Sequence, residues 1–319
     1  LYLFWQYRAY FSVRYCLSLL TAVLSEKEKA SSLAKFSLCC YSGKGKTVRR
    51  RFAPGGGRRN QTMYRIEVDP HTHTVTSLHA YSTAEECARH GAEAGLKGIV
   101  ITDHCSQVMA QRLNSVEAIE NQKSLPPVMH GVRVWKGVEI DIVDNEGRLA
   151  FWDVPDPFRP GKTGAECLLP SREVVIASVH GPFDRAAATV EENTRMYLRV
   201  LENPYVDILG HTGRSGRPYQ LEPVLKAAKR LGKMIEINSA SLKNYGERSG
   251  PACLAIAKAC KELGVLVTVS SDAHTAYQVG DFSHACAMLD SIGFPQELIA
   301  NLTVERFQQV LQQRRAALA

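Results

Sequence analysis

From Tyr64 onward, short apolar runs alternate with longer segments whose apolar residues recur every three or four positions. The runs are YRIEVD at 64–69, GIVIT at 98–102, VRVWKGVEIDIV at 132–143, EVVIASV at 173–179, YVDIL at 205–209, KMIEIN at 233–238 and GVLVTVS at 264–270. The first alternates like a strand, and GIVIT and EVVIASV are continuous enough to suit strands buried on both faces. Between them the spacing predicts helices from a Ser82 or Thr83 cap to about Gly95, and over roughly 114–124, 189–202, 221–231, 252–264, 281–291 and 303–317. The helix at 221–231 shows its stripe plainly in Leu221, Val224, Leu225, Ala228 and Leu231. The segment NEGRLAFWDVPDPFRPGKTG at 145–164 is turn-rich and is not placed in a regular element. About seven strand–helix units imply a parallel sheet with helices outside it. The sheet can close into a barrel, or it can stay open and doubly wound.

The ends of the strands separate these two folds. Nearly every apolar run finishes on a residue able to bind metal: His71 and His73, His104, Glu139, His180, His211, then Asp272 and His274. A barrel brings all its strand ends to one mouth, whereas an open sheet gathers residues at one switch point. The pattern therefore favours an α/β barrel with its site at the C-terminal ends of the strands. The densest stretch is HTHTVTSLH at 71–79, where His71 and His73 share a strand face and His79 follows a turn. Seven of the ten histidines fall at these places; His90, His130 and His284 do not. Crowded neutral imidazoles would leave many acceptors unpaired, which metal ions relieve. With Glu139 and Asp272 there are nine candidate ligands, too many for one tetrahedral ion and enough for two or three. No cysteine joins them, so nitrogen and oxygen ligation suits zinc, manganese or iron. Multinuclear sites of this kind hydrolyse phosphate esters, and Glu139 is placed to bridge two ions.

Charge changes the picture only at one end. The chain of 319 residues carries a net +7, but residues 1–62 hold 12 Lys and Arg against two Asp and Glu. That leaves 27 basic and 30 acidic residues beyond them, so 63–319 has no bulk electrostatic reason to bind nucleic acid. The opening stretch is apolar but broken by Arg8 and Arg14, too short a clean run to span a membrane, and a Gly/Arg-rich segment follows it. We expect residues 1–62 to be disordered or a non-native extension, with a targeting segment or nucleic-acid arm as the alternative, and 63–319 to be the working domain. Nine dispersed cysteines without a CxxC pair fit a reducing cytoplasm.

In order along 63–319, VDPHTHTVTSLHAYST, ITDH, GVEI, ASVHG, ILGH and SSDAHT make the chain resemble the PHP (polymerase and histidinol phosphatase) family, most closely its YcdX-like trinuclear metal phosphatases. The resemblance implies a distorted (β/α)7 barrel. It implies one metal on His71, His73, Glu139 and Asp272, a second sharing Glu139 with His180 and His211, and a third on His79, His104 and His274. Zinc is the first expectation, with manganese or iron as alternatives. The implied activity is hydrolysis of phosphate monoesters by a metal-activated hydroxide, with Glu139 and Asp272 acting through the metal-bound water. Alternatives are a phosphodiesterase or nuclease, a histidinol-phosphate phosphatase, and a non-catalytic metal-binding module. An amidohydrolase fits less well, because no strand-end lysine is evident for a bridging carbamate. The chain departs from its relatives at HTGRSGRP, where Arg214 and Arg217 are candidates to hold substrate phosphate or are simply solvated, and 151–170 is lengthened. The expected partner is a small phosphorylated substrate, with no nucleic acid for 63–319, no membrane, and a homo-oligomer compatible with the pattern.

Overall fold

A computed structural model describes residues 64–106, 114–181 and 188–316. Residues 60–319 form one compact unit. The expectation for residues 1–62 lies outside the described residues. Nine strands are present among those described: β1 (Val68–Thr72), β2 (Gly98–Ile101), β3 (His104–Cys105), β4 (Val128–Met129), β5 (Val132–Asp141), β6 (Val174–Ser178), β7 (Ile208–Leu209), β8 (Met234–Asn238) and β9 (Val267–Ser270). The helices are α1 (Ala84–Glu93), α2 (Asn114–Glu120), α3 (Gly164–Leu168), α4 (Val190–Glu202), α5 (Leu221–Arg230), α6 (Ser239–Leu263), α7 (Ser283–Ser291) and α8 (Val304–Ala316).

The sheet runs β1-β2-β5-β6-β7-β8-β9, with every neighbouring pair parallel. Beyond β2, the two-residue β3 pairs with the second half of β5, setting His104 opposite Glu139. The remaining strand, β4, is a short antiparallel addition to β5. A parallel bridge from Thr72 to Ala273, with His73 N donating to Ala273 O at 2.8 Å, nearly closes the sheet into a seven-stranded barrel. The connections between the parallel strands carry the helices, as the alternation of runs predicts.

Helix starts are built locally. Thr83, Thr163 and Thr189 each cap a helix and exchange hydrogen bonds with a Glu three residues on. The main core lies between barrel and helices, and a second apolar cluster fills the barrel's lower interior. There Val68, Val100, Val174, Ile176, Ile208 and Met234 meet Phe307 and Leu311 of α8, and Trp135 packs edge-on against Phe307 at 5.4 Å. Gly98 makes room for that indole; a Cβ there would stand 2.3 Å from Trp135 Cζ3. The C-terminal helix is therefore the plug of the barrel floor.

Two elements differ from the sequence reading. Tyr64 and Ile66 are buried, as their alternation implies, yet the strand begins only at Val68. The chain before it pairs instead with the C-terminal segment: Tyr64 Oη donates to Phe294 O at 2.7 Å and Glu67 N to Leu302 O at 3.1 Å. Alternation reported burial there, not a ladder. The helix expected over 252–264 starts at Ser239 instead, directly after β8. Asn238 caps it by accepting from Ser241 N at 2.7 Å. The turn formers Gly246, Gly250 and Pro251 are accommodated by a break at Tyr245, whose φ of −132° is not helical.

Candidate metal centre

All nine predicted ligands converge at the C-terminal ends of the strands. β1 and its extension deliver His71 and His73, β3 His104, β5 Glu139, and the residues after β6, β7 and β9 His180, His211, Asp272 and His274. His79 follows a short 3-10 turn, Val75–Ser77. Two of the ligands sit on left-handed backbone, His211 at φ 25° and Asp272 at φ 54°. Such conformations cost of order 1–3 kcal/mol and persist where the surroundings dictate them. Gly210, just before His211, allows the close approach of the chain to Ser178, where any Cβ would collide with its hydroxyl.

Glu139, fully buried, stands at the centre. Its Oε2 lies 3.2 Å from His71 Nε2, 3.4 Å from His73 Nε2 and 2.9 Å from His104 Nδ1. Its Oε1 lies 3.2 Å from His180 Nε2 and 2.8 Å from His211 Nε2. The two oxygens thus face two different sets of imidazoles. Asp272 Oδ1 closes the first set, 3.6 Å from His71 Nε2 and 3.2 Å from His73 Nε2. Two donors with bonds of about 2.0–2.1 Å to one tetrahedral ion stand about 3.3–3.4 Å apart. The distances around Glu139 Oε2 and Asp272 Oδ1 centre on that value, whereas His79 Nε2 and His274 Nε2, at 2.8 Å, are closer.

Three groups of donors lie close enough together for one ion: His71, His73 and Asp272; His104, Glu139 and His180; and His73, His104 and His274. The first holds three of the four donors that the resemblance implies for one ion, without Glu139. The other two use His104 twice and leave out His79 and His211, each of which still touches one member of the cluster.

Hydrogen bonds behind the rings fix which nitrogen is free. His71 Nδ1 meets Glu236 Oε1 and His180 Nδ1 meets Asp141 Oδ1, both at 2.6 Å. Ser77 spends its one hydroxyl proton on Asp103 Oδ1 at 2.6 Å, so it must accept from His73 Nδ1 at 3.1 Å. In its neutral form each of these three rings therefore carries its proton on Nδ1 and turns its Nε2 lone pair to the centre. His71 Nε2, His73 Nε2, both nitrogens of His104, His211 Nδ1 and Glu139 Oε2 are buried and make no hydrogen bond. An unmet buried polar atom costs about 1–3 kcal/mol. The lone pairs of His71 Nε2, His73 Nε2 and Glu139 Oε2, buried, converging and unmet, fit divalent cations.

The charges agree. Burial opposes ionisation of Glu139, but His180, His71 and His104 outweigh it and hold the carboxyl well below its usual range. Asp272 is likewise held well below, burial being overcome by His71, His73 and Arg214. His73 is driven well below the usual imidazole range by burial and by His104, and His79 falls to about 4 through burial, His104 and His274. His71 and His180 go the other way: Glu139, Glu236 and Asp272 override burial at His71, and Glu139 and Asp141 override it at His180, raising that imidazole to about 10.

Sequence reasoning missed the supporting carboxylates Glu236, Asp141, Asp103 and Asp69. Glu236 alone receives His71 Nδ1, Ser270 Oγ, Asn238 Nδ2 and, at 2.6 Å, the backbone N of His211. The available signal was an acid inside an apolar strand, as in MIEIN, and an acid two places after a ligand, as in Glu139 and Asp141.

A cavity of about 910 Å³ opens over the cluster and includes His79, His104, His180, Asp272 and His274 in its wall. Arg214 and Arg217 both line it. The first reaches Asp272 Oδ2 at 3.2 Å; the second donates to Asn145 Oδ1 at 2.7 Å, farther from the donors.

A parallel barrel whose strand ends gather imidazoles and carboxylates beneath an open cavity is the architecture of a metal-dependent hydrolase. The chain belongs to the PHP family, whose PHP domain matches residues 69–240. A relative from Caldanaerobacter subterraneus subsp. tengcongensis, named "probable phosphatase", is 40% identical over 251 residues, covering 79% of this chain and 93% of its own. A "probable phosphatase" from Clostridium novyi is 39% identical over 234 residues, 73% of this chain and 89% of the relative. Among solved structures, the histidinol phosphate phosphatase of Lactococcus lactis, complexed with zinc, L-histidinol and phosphate, is similar at 19% identity and a TM-score of 0.45, covering 72% of this chain and 94% of that one.

Proposed function

We propose that this chain hydrolyses small phosphate monoesters at a centre for three divalent metal ions, zinc foremost. The enzyme class, a phosphatase, follows its PHP relatives; substrate type and metal number are our own reading. One observation carries it: the two oxygens of buried Glu139 face separate imidazole sets, as a carboxylate bridging two cations must. In this reading His71, His73, Glu139 and Asp272 hold one ion, Glu139, His180 and His211 a second, and His79, His104 and His274 a third. Bound there, such cations lower the pKa of water towards neutrality and neutralise charge on a phosphoryl group. The chain's own part is to hold the donors. Glu236, Asp141 and Asp103 fix ring orientations, and Arg214, beside Asp272 and in the cavity wall, offers a guanidinium to a phosphate oxygen. No protein nucleophile is needed, so no phosphorylated side chain should form. Residues 63–319 are the hydrolase domain; no helix among the described residues is long and apolar enough to cross a membrane, and a cytoplasmic setting suits the free buried cysteines. The test is a panel of phosphate mono- and diesters on metal-loaded protein. Monoesters should turn over and diesters should not; turnover in metal-stripped protein, or a trapped phosphoenzyme, would sink the reading.

A further inference from the structure

The donor cluster has two halves of different kind. The inner half is sealed: His71, His73 and Glu139 are fully buried and Asp272 and His211 nearly so. It holds both carboxylates, and three of its four imidazoles are braced from behind, His71 by Glu236, His180 by Asp141, and His73 by Ser77. The outer half, His79, His104 and His274, brings three imidazoles and no carboxylate. His79 is exposed and the side chain of His274 is 27% exposed, while His104 is buried against Glu139 with neither ring nitrogen hydrogen-bonded. His274 is held through Nδ1 by the Asp272 carbonyl at 3.0 Å rather than by a carboxylate. Its Nε2 stands 2.8 Å from that of His79, inside the separation of about 3.3–3.4 Å for two ligands of one tetrahedral ion, so those rings must part before an ion can enter.

Affinity for a divalent cation rises with the anionic charge of the ligands and with how rigidly they are held. By both measures the outer position is the weaker. We propose that the centre loads in two steps: the inner ions stay bound, while the ion on His79, His104 and His274 exchanges with solution. Turnover then follows the free divalent-metal concentration over a range in which the inner positions remain full. The idea rests on the three-metal reading above.

The full chain is equilibrated in zinc buffers of decreasing free zinc and desalted, and its zinc is counted by elemental analysis. Turnover of p-nitrophenyl phosphate is read in the same buffers. One equivalent should leave at a free zinc at least about 10-fold higher than the other two, and turnover should fall with it. His79→Ala, at an exposed position, should stay folded, bind two equivalents and lack the first step. If all three equivalents leave together, or if the first step survives in His79→Ala, the proposal is overturned and the three-metal reading stands. If the wild type saturates at two equivalents, both are overturned.

Discussion

Glu236 offers the sharpest test of how the fold serves the site, because it stands behind His71, outside the lining of the cavity over the donors. Its Oε1 receives His71 Nδ1 at 2.6 Å together with Asn238 Nδ2 and Ser270 Oγ, and its Oε2 receives His211 N at 2.6 Å. Every partner is a donor, and the carboxylate is the acceptor for all of them. Glu236→Gln keeps the volume but turns one terminal oxygen into an NH2 group. Whichever way the amide faces, a donor meets a donor, either against His71 and its neighbours or against the His211 backbone. One buried hydrogen bond is lost and a donor left unmet, at about 1–3 kcal/mol. His71 also loses the anion that orients it and makes it a better ligand. Losing such support typically weakens metal binding by about 10- to 100-fold, which is about 1.4–2.8 kcal/mol. Zinc competition against a chelating dye should show that loss, while circular dichroism shows an unchanged fold. Asp141→Asn, behind His180, should produce a comparable loss by the same route. A folded Glu236→Gln protein that binds all its zinc as tightly as wild type would refute the reasoning.

Glu139→Gln, which removes the charge shared between two imidazole sets, should cut kcat steeply and lower the bound-metal count by elemental analysis. Arg214→Met should leave the metal count alone and raise KM for monoesters by about 10-fold or more, the loss of a charge-assisted hydrogen bond; an unchanged KM would make Arg214 a structural partner of Asp272 only. Lys233 is buried beneath the barrel and donates to the Asn203 and Val206 carbonyls; burial, with Arg314 and Arg315 nearby, pushes its amine down to about 7. The unfolded chain then binds the extra proton between about pH 7 and the ordinary lysine range, so this group's cost is full below pH 7 and is relieved as pH rises. The melting temperature of wild type relative to Lys233→Met should therefore climb from pH 6.5 to 9.5, and a flat difference would contradict the shift. A chain beginning at Met63 should keep its melting temperature and activity, since the PHP match starts only at residue 69.

The strand ends were legible because each buried run is apolar up to its final residues, so a His, Asp or Glu there stands out against the pattern. Closure into a barrel followed from the number of such ends. The supporting carboxylates were not legible in the same way. Glu236 lies within MIEIN, where an acid has several readings until a partner is seen across the barrel; that partner, His71, is 165 positions away. The start of β1 was misplaced because alternation reports which side chains are buried, not which backbone groups pair. The early start of α6 was hidden by Gly246, Gly250 and Pro251, whose local preference for turns is overridden by packing and by the Asn238 cap. Arg217 looked equivalent to Arg214 in sequence; both line the cavity, but Arg214 meets Asp272 and Arg217 meets Asn145.

The apolar plug of Phe307 and Leu311 also has a kinetic meaning. With its floor filled, the barrel works as a vessel with one mouth, and whatever enters across the His79 and His274 rim must leave across it. If the proposed monoester hydrolysis holds, the phosphate product is held against the donors, where the next substrate must bind, and the alcohol lies towards the mouth. Inorganic phosphate should therefore compete directly with substrate, and the enzyme's rate should be coupled to how quickly its own product is carried away.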